Sequence, residues 1–296
     1  MDNRRYLVIV NPAAGRDGLA RAEAVVARMR AQGASPEVYY TRGPGDATDY
    51  LRTAAGSLDV VVAAGGDGTV NEVINGIGGR NVALALIPGG TTNVLATELG
   101  YPRSADAVAG LLLAGRERQV HFANVNGRRF SMMTGIGYDA WVVAGIDPAL
   151  KKKVGKLAYV ISMLQQLRQF GTRRYRIEID GQAHEARSIV ITKGRHYAGS
   201  YTLTRQADIG KPSLQAILVQ TDSRARFLGM LFMLPLGLVE KLSFIRSLAG
   251  REMRVTLIDE NGSAALPDPV QADGDRVSQM PAVIRVEAGT TRVLVP

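Results

Sequence analysis

The sequence predicts two domains: an α/β N-terminal domain with an open parallel sheet, followed by a mainly antiparallel β-sandwich C-terminal domain. In the first third of the chain, apolar runs alternate with helical patterns, which is typical of a parallel sheet covered on both faces. Beyond that point, strand-like stretches follow one another between turn residues. The length of 296 residues and the hydrophobic content of 46% provide enough apolar surface for two cores.

The first domain is predicted to contain four strands, at residues 6–10, 37–41, 59–64 and 82–87. Helical spacing follows them at residues 19–30, 46–55, 70–77, 92–99 and 105–113. We place this nucleotide-binding domain at residues 1–122 and expect residues 288–296 to return to it. Ligands of such sheets bind outside the carboxyl ends of the strands.

The second domain is placed at residues 123–287. Its predicted strands include residues 175–179, 188–192, 214–220, 253–258 and 282–287, several with a polarity period of two. Two helical segments interrupt the strands, one at residues 154–170 and one at residues 225–248, broken near Pro235.

The net charge of +9 lies entirely in the second part of the chain. Residues 1–125 carry 12 basic and 12 acidic side chains, whereas residues 126–296 carry 24 and 15. This asymmetry predicts an anionic partner, such as a membrane surface, a nucleic acid or an acidic protein. With no cysteine, disulfides and thiol chemistry are excluded. The first apolar run is too short for a signal peptide, so we expect a cytoplasmic protein.

Three predicted strands end in loops rich in glycine. These loops are Asn11-Pro12-Ala13-Ala14-Gly15, Gly65-Gly66-Asp67-Gly68-Thr69 and Pro88-Gly89-Gly90-Thr91-Thr92-Asn93. Glycine lets the backbone approach a ligand, and N–H groups at a helix start can hold phosphate oxygens. The chain has no Walker motif and no G-x-G-x-x-G after the first strand, which disfavours a dehydrogenase.

These motifs resemble those of the diacylglycerol kinase catalytic family, soluble lipid kinases that include bacterial diacylglycerol kinases and sphingosine kinases. The three loops match the family's NPxxG, GGDGTxNE and PxGTxN patterns, with Asn71 and Glu72 completing the second. Near the end of the chain, Val270-Gln-Ala-Asp-Gly-Asp275 is similar to the family's VxVDGE. The GGDGT motif alone is shared with NAD kinases and phosphofructokinases, but the combination is much more specific.

The resemblance implies an ATP- and Mg²⁺-dependent lipid kinase whose active site lies between a nucleotide-binding domain and a lipid-binding sandwich. The implied nucleotide-binding residues are Asn11, Pro12, Ala13, Ala14, Gly15, Thr41, Gly65, Gly66, Asp67, Gly68, Thr69, Val70, Asn71, Gly90, Thr91 and Asn93. Asp275 is the implied proton acceptor, and Asp67 and Asp273 are further catalytic candidates. Because the Asp67 carboxylate would repel phosphate, we expect a metal or another cation beside it.

The sequence departs from the family pattern at two informative positions. Asp275 replaces the usual glutamate and is one methylene shorter. Lys211 occupies a position where some bacterial members have an aspartate that supports a structural Mg²⁺. An ammonium group cannot coordinate a metal but can replace its charge, so we expect this second metal site to be absent.

Two segments are candidates for contact with an anionic membrane. Eight Lys or Arg residues and no acid lie between Asp147 and Glu178, interleaved with apolar residues, and residues 227–239 are almost wholly apolar. Both segments could instead pack as ordinary core. We expect a lipid substrate, peripheral binding at the inner face of the membrane and no nucleic acid, while a homodimer stays open. The alternatives are an NAD-kinase-like enzyme and a catalytically silent lipid- or nucleotide-binding regulator.

Overall fold

The first sheet carries the glycine-rich loops. A computed structural model describes residues 4–54, 56–146, 157–258 and 267–296. The six strands of this sheet are β1 (Tyr6–Val10), β2 (Glu37–Tyr40), β3 (Val60–Gly65), β4 (Ala83–Pro88), β5 (Glu117–Val120) and β20 (Thr291–Leu294). Their order across the sheet is β2-β1-β3-β4-β20-β5. Strand β20, from the end of the chain, is parallel to β4 and antiparallel to β5.

Helices cover both faces of this sheet. They are α1 (Arg16–Ala31), α2 (Asp46–Thr53), α3 (Asp67–Ile77), α4 (Val94–Glu98) and α5 (Ala105–Ala114). Successive residues of β1 point to opposite faces. Leu7 and Ile9 therefore join a cluster with α2, α3 and α4, while Tyr6, Val8 and Val10 pack against α1 and α5. Burial on both faces explains why the strands read as continuous apolar runs.

The helices that follow the loops begin at different residues from those predicted. Helix α3 begins at Asp67, three residues before the predicted start, so the glycine-rich motif itself forms the first helical turn. Helix α4 begins at Val94, two residues after the predicted start, because the positive φ of Asn93 (46°) interrupts the helix there. The glycine-rich loops before α3 and α4 are thus short, and each leads directly into the first turn of a helix.

The second part of the chain contains two six-stranded antiparallel sheets. Their strands are β6 (Ala123–Val125), β7 (Arg128–Phe130), β8 (Met133–Ile136), β9 (Arg174–Ile179), β10 (Gln182–Ala186), β11 (Ser188–Thr192), β14 (Leu214–Val219), β15 (Ile245–Gly250), β16 (Glu252–Ile258), β17 (Pro269–Ala272), β18 (Asp275–Gln279) and β19 (Ala282–Val286). One sheet has the order β10-β9-β16-β19-β6-β7 and the other β15-β14-β11-β8-β17-β18. Two short strands, β12 (His196–Tyr197) and β13 (Tyr201–Thr202), pair separately.

The two sheets pack face to face over one apolar core. Tyr175 and Ile177 of one sheet share a buried cluster with Ile189 and Leu218 of the other. Three further helices, α6 (Tyr138–Ala144), α7 (Leu157–Gln166) and α8 (Arg224–Met233), belong to this part of the chain. The predicted fold class is confirmed. Within the described residues, every helix is too short or too polar to span a bilayer.

The prediction of a helix over residues 225–248 is wrong in its second half. Helix α8 ends at Met233, and Pro235 and Gly237 follow it, the latter with a φ of +63°. Residues 245–248 lie in β15, which pairs with β14 along its whole length. The apolar residues there fit the spacing of a helix as well as that of a strand, and pairing with a neighbouring strand decides in favour of the strand. The other predicted helix, at residues 154–170, is described only from residue 157.

Candidate active site

The three glycine-rich loops lie together at the carboxyl edge of the first sheet, and some of their glycines are required by close packing within and between the loops. A Cβ atom on Gly90 would lie 2.5 Å from the Cα atom of Gly66 in the neighbouring loop, and one on Gly65 would clash with Thr69 Oγ1 in its own loop. Two other glycines face open space or the opposite domain. A Cβ on Gly15 would have no atom within 4 Å, and one on Gly68 would meet only Asp275 Oδ2, at 3.4 Å. Gly15 and Gly68 are therefore the glycines of these loops that leave room for a ligand.

Asn11 joins the first loop to the second. Its Nδ2 donates to Thr69 Oγ1 at 3.0 Å, and its Oδ1 accepts from the Ala13 N–H at 2.9 Å. Residues 12–14 form a single 3₁₀ turn after Asn11, and none of them is buried. Because these contacts use both side-chain atoms of Asn11, its amide holds the shape of the loop.

Asp67 bridges the starts of α3 and α4. One carboxylate oxygen accepts from the Thr92 hydroxyl and the other from the Val94 N–H, each at 2.6 Å. Burial raises the pKa of Asp67, and the nearby charge of Asp273 raises it further, while the hydrogen bonds oppose the rise. Because burial and the charge of Asp273 both disfavour the ionised carboxylate, a cation beside Asp67 would stabilise it.

The other predicted nucleotide-binding residues differ in whether their side chains are free to contact a ligand. The Asn93 amide closes on its own loop, accepting from the Gly90 N–H at 2.8 Å and donating to the Gly90 carbonyl at 2.7 Å. Val70 is buried and packs in the core. Thr41 directly follows β2 at the same edge, and Thr91 is exposed.

The second domain reaches this edge through the hairpin between β17 and β18. Asp273 and Gly274 form its two-residue turn, with φ values of 49° and 89°, which is the geometry of a type I′ hairpin. The turn separates the two carboxylates that a continuous strand would have placed on one side. Asp275 is exposed and faces Gly68 across the domain boundary.

Asp273 is held by five hydrogen bonds. Its Oδ2 accepts from the Ser131 N–H and hydroxyl and from Asn71 Nδ2, at 2.7 to 3.0 Å. Its Oδ1 accepts from the N–H groups of Met132 and Met133, at 2.9 and 3.1 Å. With its lone pairs engaged in this way, Asp273 is suited to anchoring the turn that presents Asp275.

Sequence reasoning missed the basic residues that join α3 to the second domain. Arg128 donates to Asn71 Oδ1 at 3.0 Å. Arg129 forms a largely buried ion pair with Glu287 and donates to the carbonyls of Ile74 and Gly78 at the end of α3. In the sequence, these two arginines were not distinguishable from the general excess of basic residues. They attach the helix behind the phosphate-binding motif to the domain that carries Asp275.

A buried ammonium group lies at the loop that contains Lys211. Lys193 Nζ donates to the carbonyls of Lys211 and Ser213 at 2.6 and 2.8 Å, and its side chain is fully buried. Lys211 is exposed, and the Asp208 carboxylate accepts from Arg118 at 3.0 Å. These residues do not fit a divalent cation. The charge at this loop is supplied by Lys193, and not by Lys211 as the sequence suggests.

Lys193 should give the protein a measurable pH dependence of stability. Burial lowers its pKa from 10.5 to about 8, and the charge of Asp208 opposes this shift. Between these two pH values the unfolded chain binds more protons, so this group makes the free energy of unfolding rise with pH. The total rise in the free energy of unfolding is about 3 kcal/mol. Below the folded-state pKa, the buried ammonium group is charged and the protein is destabilised by this full amount. Urea unfolding across this range should show that Lys193→Met removes the rise. If the free energies of unfolding of the two proteins changed with pH in parallel, Lys193 would not be the source of the pH dependence.

Two family models match the chain: the diacylglycerol kinase catalytic domain at residues 5–125, and the YegS C-terminal NAD kinase beta sandwich-like domain at residues 132–295. The chain belongs to the diacylglycerol kinase catalytic family. Curated diacylglycerol kinases are similar to it. That of Bacillus subtilis is 28% identical over 76% of this chain and 77% of its own length. That of Staphylococcus saprophyticus is 30% identical over 75% of each chain.

Solved structures agree with this membership of the diacylglycerol kinase family. A diacylglycerol kinase from Bacillus anthracis superposes with a TM-score of 0.76 at 25% identity, covering 99% of this chain and 97% of its own. Yeast NADH kinase in complex with NADH gives a TM-score of 0.53 at 12% identity, covering 99% and 84%, and so shares the fold alone. The prediction that this chain is a kinase is confirmed.

Proposed function

We propose that this kinase transfers the γ-phosphoryl group of ATP to a hydroxyl of diacylglycerol or a related lipid, with Mg²⁺ as cofactor. The observation that carries the proposal is the approach of Asp275, on the second domain, to Gly68, in the first turn of α3, where a Cβ atom would lie 3.4 Å from Asp275 Oδ2. Phosphoryl transfer to an alcohol needs a loop that holds phosphate and a carboxylate that accepts the hydroxyl proton. In the proposed site, the start of α3 serves as that loop and Asp275 as that carboxylate.

The proposed reaction is an in-line displacement in this cleft. The N–H groups at the start of α3 and the open position at Gly15 hold the phosphates. As the lipid oxygen bonds to the γ-phosphorus, Asp275 takes the hydroxyl proton, the bond from that phosphorus to the bridging oxygen breaks, and ADP leaves.

Mg²⁺, when bound, neutralises charge on the phosphate oxygens. Among the residues that the structure describes, no three His, Asp or Glu side chains converge on one point as a metal site. Mg²⁺ commonly takes one or two carboxylates together with phosphate oxygens and water. Asp67, at the junction of two loops and with its pKa raised by burial, is the residue that fits such a single ligand.

The proposal is tested by incubating the protein with γ-labelled ATP, Mg²⁺ and anionic vesicles that carry one candidate lipid each. The panel contains diacylglycerol, a sphingoid base, ceramide and a monoacylglycerol, with NAD in a parallel reaction. We expect label on at least one lipid and none on NAD. Label on NAD would support the NAD-kinase alternative. Nucleotide binding without label on any acceptor would support the silent regulator.

We also propose that α7 and α8 bring the cleft to an anionic membrane. Both helices contribute to one apolar cluster, while Leu164 on α7, Phe232 on α8 and Leu236 just after α8 are exposed at 64%, 74% and 62%. Two exposed arginines join the segments: Arg168, four residues after Leu164, has a carbonyl that accepts a hydrogen bond from the guanidinium of Arg224, the first residue of α8. Apolar side chains flanked by arginines suit the interface of an anionic bilayer. The basic residues at 151–156 lie outside the described part of the chain.

Replacing Phe232 and Leu236 together by serine should weaken binding to anionic vesicles on the order of tenfold, because each side chain loses apolar burial at the interface. Vesicle sedimentation measures the bound fraction. Tyr40→Ser is the matched control, since Tyr40 is an exposed aromatic residue on the edge strand of the other domain. Equal binding by the double variant and the control would place the membrane surface elsewhere.

A further inference from the structure

A buried carboxylate outside the predicted site lies behind the hairpin turn. Asp139, in the first turn of α6, accepts hydrogen bonds from the Tyr197 hydroxyl at Oδ1 and from Gln271 Nε2 at Oδ2. Burial raises the pKa of Asp139, and these two hydrogen bonds oppose the rise. The steps of the proposed reaction do not use this group.

Gly135 provides the room for this contact. A Cβ atom at Gly135 would clash with Asp139 Oδ2 and would lie 2.8 Å from Gln271 Nε2. The main chain of Gln271 is also fixed, because its carbonyl accepts from the Thr134 hydroxyl at 2.6 Å. The carboxylate and the amide are therefore held against each other from several sides.

The carboxylate decides which way the Gln271 amide points. Both oxygens of Asp139 accept hydrogen bonds, one from Tyr197 and the other from Gln271, so Gln271 presents its Nε2 to Asp139. Its Oε1 then faces the other way and accepts from the Gly274 N–H at 2.9 Å. Gly274 is the central glycine of the turn between Asp273 and Asp275. A chain of two hydrogen bonds thus leads from Asp139 to this turn.

We infer that Asp139 is a positioning residue that, through the Gln271 amide, fixes the turn at Gly274 and hence the place of Asp275 opposite Gly68. The inference rests on the proposed function, in which Asp275 accepts the proton. The turn is then held from two sides, by the five donors to Asp273 and by Gln271 at Gly274. Precise placement of a reacting group is worth large factors in rate, and a shift of about 1 Å can cost on the order of 100-fold.

The test uses the polarity of the hydrogen bonds. In Asp139→Asn, the side-chain oxygen keeps accepting from the buried Tyr197 hydroxyl, which would otherwise lose its acceptor. The introduced NH₂ group then faces Gln271 and donates to its Oε1, so the Gln271 amide turns and two donors meet at Gly274. We expect kcat for lipid phosphorylation to fall about 10- to 100-fold. We expect KM for ATP to stay within about twofold, because the phosphate loops are unchanged. Amide hydrogen exchange at Gly274 should become at least about tenfold faster as its acceptor is lost.

A reversed pair should rescue the enzyme. In the double variant Asp139→Asn with Gln271→Glu, the amide introduced at position 139 donates to the new carboxylate, whose second oxygen accepts from Gly274, and the total charge is unchanged. We expect kcat and exchange at Gly274 to return to within about threefold of the wild type, because each hydrogen bond is restored. Asp268→Asn is the matched control. That carboxylate is also buried and accepts from a tyrosine hydroxyl, Tyr175 at 2.5 Å, but its hydrogen bonds do not involve the turn.

Three results would overturn the inference. The first is wild-type kcat and exchange in Asp139→Asn. The second is a double variant no better than the single one. The third is a raised KM for lipid with unchanged kcat, which would indicate direct contact with the substrate. Exchange at Gly274 needs no substrate. If the wild type phosphorylated no lipid, the proposed function would fail, while the exchange data would still decide whether Asp139 fixes the turn.

Discussion

Replacing Asp275 by asparagine should lower kcat for lipid phosphorylation at least about 100-fold, because the amide cannot accept the hydroxyl proton. Asp275 is exposed at the end of the hairpin turn and faces Gly68, and asparagine has the same size and shape, so we expect the variant to fold and to bind ATP. The measurement is steady-state kinetics with the best lipid of the panel, together with ATP binding by calorimetry.

Asp275→Glu is the matched control for this variant, since it keeps the carboxylate and lengthens it by one methylene. We expect it to retain activity within about tenfold of the wild type, because the proton acceptor is preserved. If Asp275→Asn turned over within about threefold of the wild type, Asp275 would not be the proton acceptor. The hairpin would then serve only to close the cleft.

Replacing Asp67 by asparagine should also lower kcat at least about 100-fold, because it removes the carboxylate that we propose as the Mg²⁺ ligand beside the bound phosphates. An asparagine amide would in addition face a donor, since Thr92 and the Val94 N–H both donate to Asp67. The concentration of Mg²⁺ needed for half-maximal rate should rise markedly in this variant.

Thr92→Ala separates the two contributions of Asp67. This change removes one hydrogen bond and keeps the carboxylate, so we expect only a modest loss of rate and an unchanged requirement for Mg²⁺. If Asp67→Asn had a normal Mg²⁺ requirement and a rate no lower than Thr92→Ala, Asp67 would be a loop-shaping residue only.

Much of the fold could be predicted because local pattern and burial agree in the first sheet. Continuous apolar runs such as Tyr6–Val10 mark strands covered on both faces. The region after Pro235 could not be predicted, because its apolar residues fit a helix as well as a strand until β14 is known to lie beside them. The start of α3 was misplaced because glycines, which disfavour helices, form its first turn here.

The candidate site was predictable where it depends on local motifs and not where it depends on distant contacts. The glycine-rich loops indicated phosphate binding from composition alone. The five donors to Asp273 come from residues 140 or more positions away along the chain, and no sequence spacing reports them. The same is true of Lys193, whose ammonium group donates to the carbonyls of Lys211 and Ser213. Asp139 also lacked a local signal, because its partners lie on β12 and β17.

The proposed function depends on transfer of the γ-phosphoryl group of ATP to a lipid hydroxyl. Isotope labelling follows this transfer: the protein is incubated with Mg²⁺, vesicles of the best acceptor and ATP whose three terminal γ-oxygens carry ¹⁸O, and the products are analysed by mass spectrometry. We predict a lipid that has gained one phosphate with all three heavy oxygens, and one ADP for each. Heavy oxygen found only in free phosphate, or in phosphorylated NAD, would show that the lipid is not the acceptor.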